Sequence, residues 1–146
     1  MNHFERLTRL YQKAPIHDFY KNISIEISDQ SCTISLPVNS SFFHGGMAVH
    51  GSVYFKLLED AAYFACQSQV TDFFILTTNF TISLTRPVTK GILTAKGSFV
   101  SFDGVVFKGT AILTDSNGKL CGRGEGEFRK SKTSLSEIAD YSAELI

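Results

Sequence analysis

The feature that most constrains the fold is one long apolar helix in the middle of a chain that otherwise alternates like β-strands. Residues 51–69 show the i, i+3, i+4, i+7 spacing of a helix with one apolar face. That stripe consists of Tyr54, Leu57, Leu58, Ala61, Ala62 and Ala65. Segments that alternate with period two are predicted to be strands, at 23–27, 32–36, 73–85, 92–102, 105–114 and 120–128. The sequence therefore predicts an α+β fold with one central helix on an antiparallel sheet.

Length and charge set further limits. The 146 residues suffice for one domain, which we place at 23–130, after an N-terminal helical segment (1–22) and before a polar C-terminal tail (131–146). The 14 basic and 14 acidic residues balance, so no overall field favours nucleic acid, and no stretch reaches the ~18 apolar residues of a membrane span. Three cysteines and the lack of an apolar leader indicate a cytoplasmic protein with reduced thiols.

Two adjacent acids on the helix receive different predictions. Lys56, Asp60 and Gln67 point away from the apolar stripe, and we expect Asp60 to be a solvated residue near Lys56. Glu59 falls at the margin of the stripe, where partial desolvation raises a carboxyl pKa or leaves the ionised form a stronger base. The alternative for Glu59 is an ordinary boundary carboxylate with a hydrogen-bond partner.

A His-Gly turn precedes the helix. Gly51 has no side chain to obstruct its amide, and a helix N-terminus can stabilise negative charge that develops on a carbonyl oxygen. Gly51 and Glu59 are eight residues apart, which is about 12 Å along a helix. If both act on one carbonyl, Gly51 of one chain must meet Glu59 of another, which predicts a two-fold dimer.

Taken in order, these motifs resemble the hotdog-fold acyl-CoA thioesterases of the phenylacetate-type subgroup. The matching parts are His50-Gly51-Ser52 with Glu59-Asp60-Ala61, Thr77-Thr78-Asn79-Phe80 with Arg86-Pro87, and Asn117-Gly118-Lys119-Leu120 with Gly122-Arg123-Gly124-Glu125-Gly126-Glu127-Phe128. The resemblance implies a hotdog fold, in which an antiparallel sheet wraps the central helix, and a homodimer or homotetramer (a dimer of dimers) with shared active sites. It also implies a hydrolase that cleaves an acyl-CoA or acyl-carrier thioester to a free acid and a thiol. Such an enzyme needs no metal or cofactor, since coenzyme A is part of its substrate.

The resemblance also implies roles for single residues. The Gly51 amide would polarise the thioester carbonyl, and His50 would shape the turn or bind the thioester. Glu59 would act as general base on water, or as nucleophile forming a mixed anhydride. Thr77 would orient the water, or else is a polar strand residue facing solvent.

The chain departs from the family pattern in the loop before the helix. Ser52 stands where a second Gly is usual, Met47 replaces another Gly, and His44 stands where Asn is frequent. We count Ser52 and His44 as candidate substrate contacts, although His44 is equally well explained as an ordinary loop histidine.

Other candidate contacts concern the two ends of the substrate. Phe55, with Tyr54 or with Phe42 and Phe43, would line an acyl pocket between two subunits, and Arg123 and Lys130 would contact coenzyme A phosphates. Two other activities stay open: an acyl-thioester dehydratase or hydratase that uses a loop His and a helix acid, and a non-catalytic acyl-binding protein in which Glu59 is structural.

Overall fold

The computed structural model describes residues 1–144. Its helices are α1 (His3–Lys13), α2 (Gly51–Gln67) and α3 (Ala139–Ser142). Its strands are β1 (Ser24–Ser28), β2 (Ser31–Pro37), β3 (Phe73–Leu84), β4 (Ile92–Phe102), β5 (Phe107–Thr114) and β6 (Leu120–Ser134). Short 3-10 turns lie at Pro15–Phe19, Ser40–Phe42 and Leu135–Glu137.

The six strands form one antiparallel sheet in the order β1-β2-β4-β5-β6-β3. The hairpin turns contain residues with positive φ, namely Gln30 (62°), Gly104 (104°) and Gly118 (76°), as tight turns between twisted strands require. Helix α2 lies across the sheet, and the whole predicted apolar stripe is buried. The predicted α+β class with one long helix on an antiparallel sheet is confirmed.

Small residues let α2 approach the sheet closely. A Cβ at Gly97 of β4 would overlap the backbone of Ala61, and one at Gly109 of β5 would lie 2.8 Å from the Cys66 sulfur. Since real Cβ atoms do not approach other heavy atoms so closely, both positions require glycine. The three cysteines are buried as free thiols, as small apolar residues are.

The predicted solvation of Asp60 is wrong, and Gln67, on the side opposite the apolar stripe, is buried as well. Asp60 is 8% exposed and Gln67 is fully buried, because α1 packs over the side of α2 that faces away from the sheet and places Tyr11 against Asp60. The Gln67 amide donates to the carbonyls of Val70 and Phe73 and accepts from Tyr63 and the Ile75 amide. Its burial is therefore fully compensated by hydrogen bonds.

The predicted alternation of β3 is also wrong in its first half. The pairing with β6 shifts between Thr77 and Asn79, so Thr78 is the extra residue of a β-bulge. Before the bulge, Ile75 is buried and Leu76 is 52% exposed, although we expected Leu76 to share the face of Phe80. Thr77 consequently lies on the helix side of the strand.

The terminal segments pack on each other. Strand β6 runs to Ser134, so the boundary predicted at residue 130 falls inside it, and residues 145–146 of the predicted tail lie outside the described residues. Arg6 and Arg9 of α1 donate to backbone carbonyls at Asp140, Tyr141, Ser142 and Ala143. These bonds join α1 to the end of α3. No helix in the described part of the chain is both long enough and apolar enough to cross a bilayer.

Candidate active site

Glu59 lies at the edge of the buried face of α2, beside strand β3. Its Oε1 accepts a hydrogen bond of 2.6 Å from the Thr77 hydroxyl. The bulge after Thr77 is what turns this hydroxyl toward the helix. Two residues that were predicted separately are thus in direct contact.

Burial, and after it the neighbouring Asp60 carboxyl, raises the pKa of Glu59 from 4.5 to about 8. The Thr77 hydrogen bond and the Lys56 ammonium oppose this by favouring the ionised form. A carboxylate with so high a pKa accepts a proton more readily than a surface carboxylate. Glu59 is therefore suited to general-base chemistry once it is ionised, which occurs mainly above about pH 8.

A polar network that the sequence did not predict lies next to Glu59. Asp60 Oδ2 is 2.6 Å from Lys56 Nζ and accepts a 2.7 Å hydrogen bond from the Tyr11 hydroxyl. Lys56 Nζ is also 3.0 Å from Nε2 of His17, whose Nδ1 is 2.6 Å from the Tyr11 carbonyl. These partners require a neutral His17 with its proton on Nδ1, and burial together with Lys56 lowers the His17 pKa accordingly.

An apolar cleft of about 290 Å³ opens beside Glu59. Three elements line it: α1 with the following 3-10 turn, α2, and the first half of β3. The lining residues are Leu10, Tyr11, Ala14, Ile16, His17, Lys56, Glu59, Asp60, Tyr63, Phe64, Phe74, Ile75, Leu76 and Thr77. A substrate group in this cleft would lie against the Glu59 carboxyl.

The aromatic residues predicted to line the acyl pocket do not line the cleft beside Glu59. Phe55 packs edge-on against Phe80 and is 39% exposed. Tyr54 is buried and donates to the Arg86 carbonyl. Phe42 and Phe43 line a separate hollow next to the His-Gly turn. The acyl pocket that these aromatic residues were expected to line between two subunits stays a prediction.

The His-Gly turn begins α2 as expected. His50 is the N-cap, and its Nδ1 lies 3.0 Å from the Ser52 amide nitrogen and 2.8 Å from the Ser52 hydroxyl. Gly51 is the first helical residue, and a Cβ there would lie 3.3 Å from Leu84. Ser52 therefore supports the turn, and His50 holds its shape.

The loop before the turn brings the two histidines together. His44 is exposed, its Nδ1 accepts from the Gly46 amide at 2.9 Å, and its ring centroid is 6.5 Å from that of His50. Met47 has a φ of 67°, a backbone conformation that glycine adopts with less strain than other residues.

The remaining candidates do not gather at Glu59. Gly51 and Glu59 lie eight positions apart on one helix, which separates them by about 12 Å. Arg123 lines a groove formed by strands β3, β5 and β6, and Lys130 pairs with Asp72 at 3.0 Å. Within residues 1–144, no three His, Cys, Asp or Glu side chains converge as metal ligands would.

Comparison with solved structures identifies the fold. The PaaI protein of E. coli, from the phenylacetic acid degradation operon, superimposes with a TM-score of 0.80 over 89% of this chain and 94% of its own, at 17% identity. A thioesterase of Haemophilus influenzae gives 0.76 over 88% and 90%, at 17% identity. A mutant thioesterase of Pseudomonas aeruginosa gives 0.76 over 88% and 94%, at 21% identity.

Sequence comparison identifies the family. A search against curated proteins gives no match. The profile of the thioesterase superfamily matches residues 46–122, which is more than half of the chain and includes both the His-Gly turn and Glu59. The chain therefore belongs to the thioesterase superfamily and has the hotdog fold of those enzymes.

Proposed function

We propose that this protein hydrolyses acyl-CoA thioesters, releasing a free acid and coenzyme A, with Glu59 as the catalytic carboxylate. Membership of the thioesterase superfamily supports thioester hydrolysis in general. The observation that carries the proposal is the position of Glu59, which is desolvated, bonded to the Thr77 hydroxyl and open to an apolar cleft. These are the requirements for a base beside an acyl group.

Glu59 has two chemical routes. As a base it takes a proton from water, and the water oxygen adds to the thioester carbonyl. The carbon–sulfur bond then breaks, and the thiolate leaves and is protonated by the Glu59 carboxyl. As a nucleophile it adds to the carbonyl itself, expels the thiolate and forms an anhydride that water then hydrolyses. In the first route Thr77, bonded to Glu59 at 2.6 Å, would orient the attacking water.

The Gly51 amide would stabilise the oxyanion of either route. It lies at the positive end of the 17-residue helix α2, where the His50 cap fixes the turn. Because Gly51 and Glu59 of one chain are too far apart to share a carbonyl, we propose a dimer whose sites combine both chains. Strand β3 is a sheet edge. Leu84 at its end and Phe55 of α2, which contacts Phe80 of β3, are 45% and 39% exposed, and this supports a subunit contact there.

The activity is tested by measuring thiol release from acyl-CoAs of several lengths and from aryl-CoAs. We expect Glu59→Gln to abolish release while Glu26→Gln, at an exposed carboxylate of β1, leaves it unchanged. Full activity of Glu59→Gln would remove Glu59 from the mechanism. Interconversion of enoyl and 3-hydroxyacyl thioesters without thiol release would instead establish the dehydratase activity.

The shared site is tested by mixing two inactive variants. Gly51→Pro removes the amide proton at the first helical position, where proline is tolerated. If each site combines Gly51 of one chain with Glu59 of the other, a mixed dimer of Gly51→Pro and Glu59→Gln chains contains one intact site and regains activity. Sites built within single chains would stay inactive in every mixture.

A further inference from the structure

The cleft beside Glu59 has one wall that comes from the N-terminal segment, residues 1–22. Leu10, Ala14 and Ile16 contribute this wall, opposite Phe74 and Leu76 of β3. The segment lies outside residues 46–122, which match the superfamily profile. A wall of the cleft is thus formed by a part of the chain that the family match does not include.

The polar groups of the cleft are bonded to one another rather than turned toward a ligand. Lys56 contacts Asp60 and His17, and Tyr11 donates to Asp60. Tyr63 donates to the Ile75 carbonyl at 2.6 Å. The remaining surface is mainly aliphatic and aromatic. The group that fits this cleft is therefore a hydrocarbon attached to the carbonyl on which Glu59 acts.

The size of the cleft limits that hydrocarbon. Its 290 Å³ is about twice the ~150 Å³ of an apolar cavity that holds one benzene. It therefore accommodates an acyl group of up to roughly ten carbon atoms, either a medium alkyl chain or one ring with a short linker.

We propose that the N-terminal segment is the specificity element of this thioesterase, with Ala14 and Ile16 setting the upper size of the acyl group. The inference rests on the proposed function, because it assigns the cleft to the acyl part of the substrate that Glu59 hydrolyses. Ala14 is the critical position because its methyl group takes little of the space that a larger residue would occupy. Its extended backbone (φ −63°, ψ 127°) precedes Pro15 and accepts a larger side chain without strain.

The wall is anchored to the rest of the molecule at two places. His17, next to Ile16, contacts Lys56 of α2, and Tyr11 is bonded to Asp60. Arg6 and Arg9 attach the other face of α1 to the carbonyls that end α3. A wall held in this way has a fixed position, so its side chains rather than its mobility determine the size that the cleft admits.

The test compares kcat/KM for butyryl-CoA and decanoyl-CoA in three variants. Ala14→Leu narrows the cleft and should lower kcat/KM for decanoyl-CoA by about tenfold or more, while butyryl-CoA stays within about twofold. Ile16→Ala, at a residue that is 50% exposed and whose loss the fold tolerates, should favour longer acyl chains. Gln12→Leu adds the same side chain as Ala14→Leu at an exposed position outside the cleft and should change neither value.

Binding to Glu59→Gln separates this inference from the proposed function. Calorimetry should show that Ala14→Leu in the Glu59→Gln background weakens binding of decanoyl-CoA but not of butyryl-CoA. If no thioester is hydrolysed and this binding difference is present, the proposed function is wrong and the specificity element stands. Equal effects on both acyl lengths, or none, in Ala14→Leu and Ile16→Ala would overturn the specificity element whatever the activity.

Discussion

The raised pKa of Glu59 predicts that this residue destabilises the folded protein at alkaline pH. In the unfolded chain its carboxyl ionises near 4.5, whereas in the folded chain it holds its proton to about pH 8. Each pH unit between these values costs the folded state about 1.4 kcal/mol. The penalty is absent below the unfolded pKa, grows as pH rises and is complete above the folded pKa.

Replacing Glu59 by the neutral Gln removes that penalty. We expect Glu59→Gln to raise the free energy of unfolding relative to wild type by about 4 kcal/mol more at pH 8.5 than at pH 5. In urea this corresponds to a difference between the two midpoint shifts of about 1 to 4 M. An inactive variant would thus be the more stable one, as expected where a residue is retained for chemistry rather than for stability.

The assay is urea unfolding followed by circular dichroism at several pH values, with Glu26→Gln as the control. Glu26 is exposed on β1, so its replacement should give a stability difference that does not vary with pH. If the difference between Glu59→Gln and wild type were also constant with pH, burial would not disfavour the ionised Glu59. Glu59 would then lack the raised pKa on which its assignment as general base depends.

Three other predictions test the site and its support. The kcat/KM should rise with pH as Glu59 loses its proton, with a midpoint at about pH 8. Thr77→Val should move that midpoint to higher pH, because the Thr77 hydroxyl favours the ionised form of Glu59. A midpoint that is the same in Thr77→Val and wild type would contradict the role of the Thr77 hydroxyl. Met47→Gly should increase stability by about 1 kcal/mol because φ is 67° there, and a lower melting temperature would show that the Met47 side chain compensates. Gly97→Ala should cost about 3 kcal/mol or more because its Cβ overlaps the backbone of α2, which thermal unfolding measures.

The fold could be predicted because its determinants are local. The apolar stripe of α2, the period-two strands and the Gly-containing turns each specify an element from neighbouring residues alone. The bulge at Thr78 has no such local signal, since it arises from the pairing of β3 with β6. For that reason strict alternation along β3 places Thr77 on the wrong face of the strand, whereas the family resemblance had selected Thr77 as one of two alternatives.

The surroundings of Glu59 could be predicted only in part. Its position at the margin of the stripe indicated partial desolvation, but the packing of α1 over Asp60 joins residues 49 positions apart. One signal for this packing was present in the sequence: Tyr63 and Phe64 are apolar residues outside the stripe of α2. A helix with apolar residues on nearly all sides is buried by neighbouring elements on nearly all sides. The apolar face of α1, with Leu7 and Tyr11, supplies that cover.

The segment that buries Asp60 also determines what Glu59 can do. Tyr11 and Lys56 hold the Asp60 carboxylate beside Glu59, and removal from water together with this neighbour keeps the Glu59 pKa high. The same segment contributes Ala14 to the cleft in which we place the acyl group. If Glu59 is the base and the cleft selects the acyl group as we propose, both properties depend on the contact between Tyr11 and Asp60. A change in α1 that loosened this contact would lower the Glu59 pKa and widen the cleft.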